Sequence, residues 1–147
     1  MENKTFNIYF LCGQNRCRSQ IAEALAKHYA TENVRIDSAG LEPSSLHPFT
    51  IQAMQEIGID ITDRFSKKID MKIFMSSSVI IKLCDDIEER CPIVPFGIRN
   101  EQWSIHDPLA KEDATMDDVR SARDEIKQKV ISLLQKFGVY KSSQQSV

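Results

Sequence analysis

An almost unbroken apolar run, Phe6-Asn7-Ile8-Tyr9-Phe10-Leu11, opens the chain, and the period then changes. From Arg18 on, Ile21, Leu25 and Tyr29 fall on one helical face, with Ala22 and Ala26 beside them. This pattern predicts a strand, a short loop and a helix. Asn33-Val34-Arg35-Ile36-Asp37-Ser38, stopped by Ala39-Gly40, predicts a second strand. A strand–helix–strand unit needs a right-handed crossover and gives a parallel sheet. Ligands of such sheets bind beyond the carboxyl ends of the strands, where the stretch from Cys12 to Ser19 lies.

The remaining pattern continues the alternation. His47-Pro48 predicts a helix start with proline in the first turn, Ile51, Met54 and Ile57 facing inward, and Gly58 as the stop. Ile59 to Arg64 reads as irregular, and Ser66 to Phe74 as a weak helix. Val79-Ile80-Ile81-Lys82-Leu83-Cys84 is apolar enough for a central strand of a parallel sheet. Ile98 to Ile105 predicts a fourth strand, followed by a turn at His106-Asp107-Pro108. Val119, Ala122, Ile126, Val130, Leu133 and Phe137 recur at steps of three and four, an amphipathic helix capped by Asp113 or Thr115 and ended by Gly138. The expectation is one α/β domain over residues 1–138 and a polar, disordered tail over 139–147.

Composition narrows the class without naming a chemistry. At 147 residues, 41% hydrophobic and 27% charged, the chain suits one ordinary globular core. A net charge of -2 gives no basic footprint for nucleic acid. No stretch is long and apolar enough for a membrane span, and the N-terminus does not read as a signal peptide. Four cysteines are too few for a secreted disulfide scaffold, so the expectation is a cytoplasmic, monomeric protein with functional thiols.

The chemistry gathers at Cys12-Gly13-Gln14-Asn15-Arg16-Cys17-Arg18-Ser19. A loop between a strand and a helix N-terminus presents successive backbone N–H groups to one point, which suits an oxyanion. The same field favours a thiolate at Cys12. Arg18 offers a planar fork of donors able to clamp two oxygens of a tetrahedral anion. These donors must outweigh the repulsion between thiolate and anion before attack occurs. Ser19 either donates to the thiolate or caps the helix. Cys17 inside the loop reads as structural, and Trp103 as sheet packing.

Two further cysteines, Cys84 and Cys91, stand seven positions apart across Asp85-Asp86-Ile87-Glu88-Glu89-Arg90. This is not a zinc spacing, and no histidine lies nearby in sequence. The residues alone leave two buried structural thiols or a redox pair. Were the intervening segment helical, the pair would stand about 10 Å apart along the axis. A disulfide needs Cα atoms within about 7 Å. Closure therefore requires a segment that is non-helical or that unwinds.

Together these residues resemble a known family, the thioredoxin-coupled arsenate reductases built on the low-molecular-weight tyrosine phosphatase fold. The landmarks are the Cys12 to Arg18 loop with Ser19-Gln20, Ser38-Ala39-Gly40, Leu83-Cys84, Cys91-Pro92-Ile93-Val94-Pro95, Trp103, Asp107-Pro108 and Arg123-Asp124-Glu125-Ile126-Lys127. They keep register from about Thr5 to Phe137. The resemblance implies a three-layer α/β domain whose central four-stranded parallel sheet has the order 2-1-3-4. It implies that Cys12 attacks arsenate held by the amides of Gly13, Gln14, Asn15, Arg16, Cys17 and Arg18 and by the Arg18 side chain. Asp107 would act as general acid, with Ser19 beside the nucleophile. A Cys12–Cys84 and then a Cys84–Cys91 disulfide would form, and reduced thioredoxin would supply the electrons with no bound cofactor. Phosphate and sulfate would bind as analogues of arsenate.

Three departures from the family pattern bear on the site. Gly13-Gln14 stands where relatives have Thr-Gly, and Arg16 where they have Ser. Asn15, Glu23 and Ser38 match a potassium site of some relatives, but Lys67 takes the place of its aspartate, so an ammonium is expected to replace the ion. The competing function is a tyrosine phosphatase, which needs the loop and Asp107 but neither Cys84 nor Cys91. Leu109-Ala110 after Asp107-Pro108, where phosphatases often carry tyrosine, speaks against it. A redox sensor would need an output element, and no DNA-binding helix pair is evident.

Overall fold

The computed structural model describes residues 6–13, 15, 17–42, 44–83 and 92–141. Its sheet follows from the apolar runs. Strand β1 (Phe6–Cys12) pairs in parallel along its whole length with β2 (Val34–Gly40) on one side. On the other side it pairs in parallel with β3 (Val79–Lys82), and β3 pairs in parallel with β4 (Arg99–Gln102). The resulting order is β2-β1-β3-β4. Ile8 to Leu11 and all four residues of β3 are buried, as strands covered on both faces must be. Strand β4, Arg-Asn-Glu-Gln, has one strand neighbour and is polar, which blunts an open edge.

Helix α1 (Arg18–Tyr29) and helix α4 (Met116–Lys136) pack on each other. Side-chain alternation along β1 assigns the layers. Cys12 reaches Ser19 on α1, whereas Tyr9, of opposite parity, accepts a hydrogen bond from the Asp70 amide at 3.0 Å. Asp70 caps the short helix α3 (Met71–Met75), so α3 lies on the face opposite α1. Helix α2 (Pro48–Gln55) packs against α4. Between the two candidate caps of α4, Thr115 is the one used, in a reciprocal box with Asp118. Its stripe of Val119, Ala122, Ile126, Val130 and Leu133 is buried as read from the sequence, with Phe137 half-buried at the C-cap.

Several boundaries differ from the sequence expectation, each for a physical reason. The fourth strand, expected over Ile98 to Ile105, is four residues long. Trp103 N still donates to Lys82 O (2.7 Å), but Ile105 N turns back onto Trp103 O (2.9 Å) and bends the chain inward. The weak helix expected from Ser66 begins only after Asp70, because residues 66–68 are held extended: Gly40 N donates to Lys67 O, and Lys68 bridges Gly40. On α2, Met54 is fully buried while Ile51 is half-buried, and Thr50 and Ala53 complete the inner face; Ile57, half-buried, lies in the turn after the helix. The helix stops at Gln55, short of the expected Gly58, and the turn that follows closes at Gly58 with φ +81°, a backbone that a β-carbon would strain. Val139, Tyr140 and Lys141, expected to belong to a loose tail, are hydrogen-bonded: Thr31 N donates to Val139 O and Lys141 N to Tyr29 O. Residues 142–147 lie outside the described residues. No helix among the described residues is long and apolar enough to cross a membrane.

Candidate active site

The site forms where β1 ends and α1 begins. Cys12 is buried, the last residue of its strand. Its Sγ lies 2.9 Å from Ser19 Oγ and accepts the Asn15 amide at 3.2 Å. Ser19 Oγ also accepts from Asn15 Nδ2 at 2.6 Å, which leaves its own proton available to a Cys12 thiolate. Of the two roles read for Ser19, the geometry therefore gives it a place beside the nucleophile; the α1 N-cap is Cys17, without a side-chain cap bond. First-turn amides of α1 are left for an anion.

Asn15 holds the loop. It is fully buried with φ 53°, the left-handed region that asparagine tolerates. Its side chain donates to Ser19 and to Ser38 Oγ (3.0 Å) and accepts from Gln20 Nε2 (3.0 Å) and from Lys67 N (2.8 Å). Ser66 Oγ donates to its carbonyl at 2.7 Å. Gln20 and Ser66 were not read as site residues from the sequence. The signal for Gln20 was its place after Ser19 in the loop motif; for Ser66 there was none, because its partners lie 51 and 22 positions away.

Arg18 is buried at the floor. Its Nη1 donates to Ile105 O (2.8 Å) and Leu83 O (3.3 Å), and its Nη2 lies 3.7 Å from Asp107 Oδ2. Asp107 is in turn oriented by the Leu109 amide on Oδ1 (3.0 Å). The inward bend after Trp103 is thus what brings Ile105 and Asp107 to Arg18. Trp103 packs against Phe10 and donates to Glu101, as sheet packing requires.

Cys17 is a different kind of thiol. Burial pushes its pKa up to about 12, against the smaller opposing effect of a hydrogen bond with Thr50. A thiol so raised is neutral at pH 8 and a poor nucleophile. Its contribution to stability is therefore full below the ordinary thiol range, near 8.5, and falls as pH rises from there toward 12. Iodoacetamide at pH 8 is expected to leave Cys17 unmodified in the native protein and to label it after denaturation; peptide mass mapping reads both.

A second cluster lies behind the loop. Glu23, on α1 and buried, accepts from Ser38 Oγ, from Lys27 Nζ (2.7 Å) and from Lys67 Nζ (3.2 Å). Arg64 Nη1 lies 3.3 Å from its other side, oriented so that it makes no hydrogen bond. Burial opposes its charge, but Lys27, Ser38 and Lys67 together hold its carboxyl below the ordinary range. Asn15, Glu23, Ser38 and Lys67 are thus brought together, with the Lys67 ammonium against the carboxylate. Lys27 and Arg64 join them unforeseen, although Lys27 is i+4 from Glu23, a readable helical pair.

Gly13, Asn15, Cys17, Arg18, Ser19 and Asp107 are therefore gathered around or beside Cys12. Gln14, Arg16, Cys84 and Cys91 lie outside the described residues.

Comparison with known proteins agrees with this geometry. Residues 7–143 match the model of the low molecular weight phosphotyrosine protein phosphatase family. A protein of Staphylococcus saprophyticus named arsenate reductase 2 is 39% identical over 130 residues, 88% of this chain and 95% of that one. A solved arsenate reductase in an oxidized state superposes with a TM-score of 0.75 at 30% identity, over 88% of this chain and 97% of that one. A thioredoxin-dependent arsenate reductase of Corynebacterium glutamicum superposes with a TM-score of 0.74 at 30% identity over 92% of this chain. The chain spans 63% of that longer protein.

Proposed function

The chain belongs to the low molecular weight phosphotyrosine protein phosphatase family and, within it, to the arsenate reductases; from that premise we propose that it reduces arsenate to arsenite through Cys12, Cys84 and Cys91, with thioredoxin as electron donor. The observation that carries this reading is Cys12 at the junction of β1 and α1, its sulfur held by Ser19 Oγ and the Asn15 amide, in a chain that also holds two further cysteines seven positions apart.

The Cys12 thiolate attacks the arsenic of arsenate, held by loop amides and Arg18. An oxygen leaves as water, with Asp107 as proton donor, and a Cys12–arsenic bond remains. The Cys84 thiolate then attacks the Cys12 sulfur. The sulfur–arsenic bond breaks, its electron pair stays on arsenic, arsenite departs and a Cys12–Cys84 disulfide forms. The Cys91 thiolate attacks Cys84 and releases Cys12 as thiolate. Thioredoxin gives two electrons and two protons to the Cys84–Cys91 bond and leaves as its own disulfide.

The phosphatase alternative shares Cys12, Arg18 and Asp107. It is less well supported because Leu109, at the position of an aromatic wall, is buried in the core, and Ala110 is small. The deciding assay is arsenate-dependent NADPH oxidation with thioredoxin and thioredoxin reductase. One NADPH per arsenite is expected. Hydrolysis of p-nitrophenyl phosphate by a protein that yields no arsenite would overturn the reading.

The Lys67 ammonium against Glu23 supports a site that carries its own cation. Replacing sodium by potassium is expected to change turnover by less than about twofold, since an ammonium paired with a buried carboxylate leaves no vacancy of the right charge. A several-fold rise would sink that idea. Lys67→Asp, which removes the ammonium and adds a carboxylate, is expected to acquire the potassium response.

A further inference from the structure

Immediately after Cys91 the chain reads Pro92-Ile93-Val94-Pro95-Phe96-Gly97-Ile98, seven residues without a charge or a polar side chain. Such a stretch normally supplies core. Here none of the seven is buried. Ile93 is 92% exposed and Phe96 fully exposed, and residues 94–100 line an open hollow of about 490 Å³. Large apolar side chains left in water next to one another mark a contact surface more often than accident. Two prolines limit the backbone, so little freedom remains to be lost on contact.

Where the patch sits in the chain indicates its occupant. Covalent geometry holds Ile93 within about 7 Å of Cys91. Under the function proposed above, on which this inference rests, Cys91 and Cys84 form the disulfide that an external dithiol protein must reach. We propose that Ile93 and Phe96 form the docking surface for that reductant, a small dithiol protein of the thioredoxin class. A thiolate of the reductant attacks the Cys84–Cys91 bond, which breaks as a mixed disulfide forms and one enzyme thiolate is released. The second thiolate of the reductant resolves the mixed disulfide, frees the other enzyme thiol and leaves the reductant oxidised. Attack requires a brief, oriented encounter. A surface of a few apolar side chains fits that, because redox encounters fall below about 1,200 Å² of buried area.

The test compares the wild type with Ile93→Ser, Phe96→Ser and the double variant. With thioredoxin as donor, the double variant is expected to show a KM for thioredoxin raised about tenfold or more, with kcat at saturation within about twofold. Turnover driven by dithiothreitol, and the single burst of arsenite from pre-reduced enzyme, are expected to stay unchanged. As a check that needs no variant, amides of residues 93–97 are expected to gain protection from hydrogen exchange. The complex to use is wild-type protein trapped as a mixed disulfide with a thioredoxin whose resolving cysteine is serine. An unchanged KM for thioredoxin in the double variant, equal losses with thioredoxin and dithiothreitol, or unaltered exchange would each overturn the docking surface while leaving the reductase reading intact. So would a concentration-dependent dimer in sedimentation velocity that the double variant loses, since the occupant would then be a second copy. A wild type that takes no electrons from thioredoxin would overturn the functional reading, and this inference with it.

Discussion

A Cys12→Ser protein is expected to yield no arsenite, with turnover at least about 10⁴-fold below wild type, yet to bind phosphate no more weakly than the wild type does. The two halves of that expectation come from different groups. Bond formation to arsenic needs a thiolate, and a serine hydroxyl next to Ser19 Oγ and the Asn15 amide remains protonated near neutral pH. Under the proposed function, anion binding belongs to the loop amides and to Arg18, which the substitution leaves in place, and the negative charge of a thiolate is removed. The other two cysteines separate the steps. Cys84→Ser is expected to stop at the arsenic adduct on Cys12, with no arsenite released. Cys91→Ser is expected to release one arsenite per enzyme and then stop as a Cys12–Cys84 disulfide. Quench-flow quantification of arsenite with intact-protein mass spectrometry reads each state. A Cys84→Ser protein that turns over at the wild-type rate with thioredoxin would remove the relay.

What the chain order reveals about this fold depends on how local each determinant is. The strand–loop–helix around Cys12 and the Thr115 cap rest on residues within a few positions of one another, and both are legible; the left-handed Asn15 is not, because Ser38, Ser66 and Lys67 hold it from far along the chain. The length of β4 is not, because it is decided by a bend after Trp103 that serves Arg18, 85 positions earlier in the chain. Likewise, Ser66 to Lys68 read as helix by their neighbours but are drawn into extended backbone by Gly40 and Asn15. Val139 to Lys141 look like tail, but Thr31 N donates to Val139 O and Tyr29 O accepts from Lys141 N. In the site, Glu23, Ser38 and Lys67 were readable only through resemblance. Nothing in their spacing says that they meet, and the pattern does not show Arg64 joining them.

One hydrogen-bonded chain runs through these distant pieces. Glu23 accepts from Ser38, Ser38 accepts from Asn15, Asn15 donates to Ser19, and Ser19 Oγ is paired with Cys12 Sγ. Each link is buried, so each missing partner would leave a polar group unpaired at about 1–3 kcal/mol. Cys12, Asn15 and Ser19 are therefore fixed relative to one another by the fold itself, and under the proposed function the reaction bears little of that ordering cost.

Arg18 is the member of this assembly whose loss is expected to fall next most heavily on arsenate. Arg18→Ala is expected to lower kcat/KM for arsenate by about 10²–10³, or about 2.7–4 kcal/mol of transition-state stabilisation, the range found for removing one preorganised oxyanion donor. Arg18→Lys is expected to recover little of it. The guanidinium spans Ile105 O, Leu83 O and the Asp107 carboxylate from a single plane, and an ammonium on a shorter stem cannot reach all three with donors to spare for an anion. Structural damage alone would look different. Two carbonyls without their donor cost about 1 kcal/mol each and shift the thermal midpoint, but they leave the rate with a preformed pocket largely intact. Steady-state kinetics at fixed thioredoxin, beside thermal melts of the same proteins, separate the two. Leu83 adds a further consequence, since it directly precedes Cys84 in the chain. A residue that grips the oxyanion and also holds the Leu83 carbonyl links substrate binding to the segment carrying the second thiol. Arg18→Lys should accordingly slow formation of the Cys12–Cys84 disulfide even at saturating arsenate, and a variant with wild-type kcat and a raised KM alone would show that Arg18 only binds.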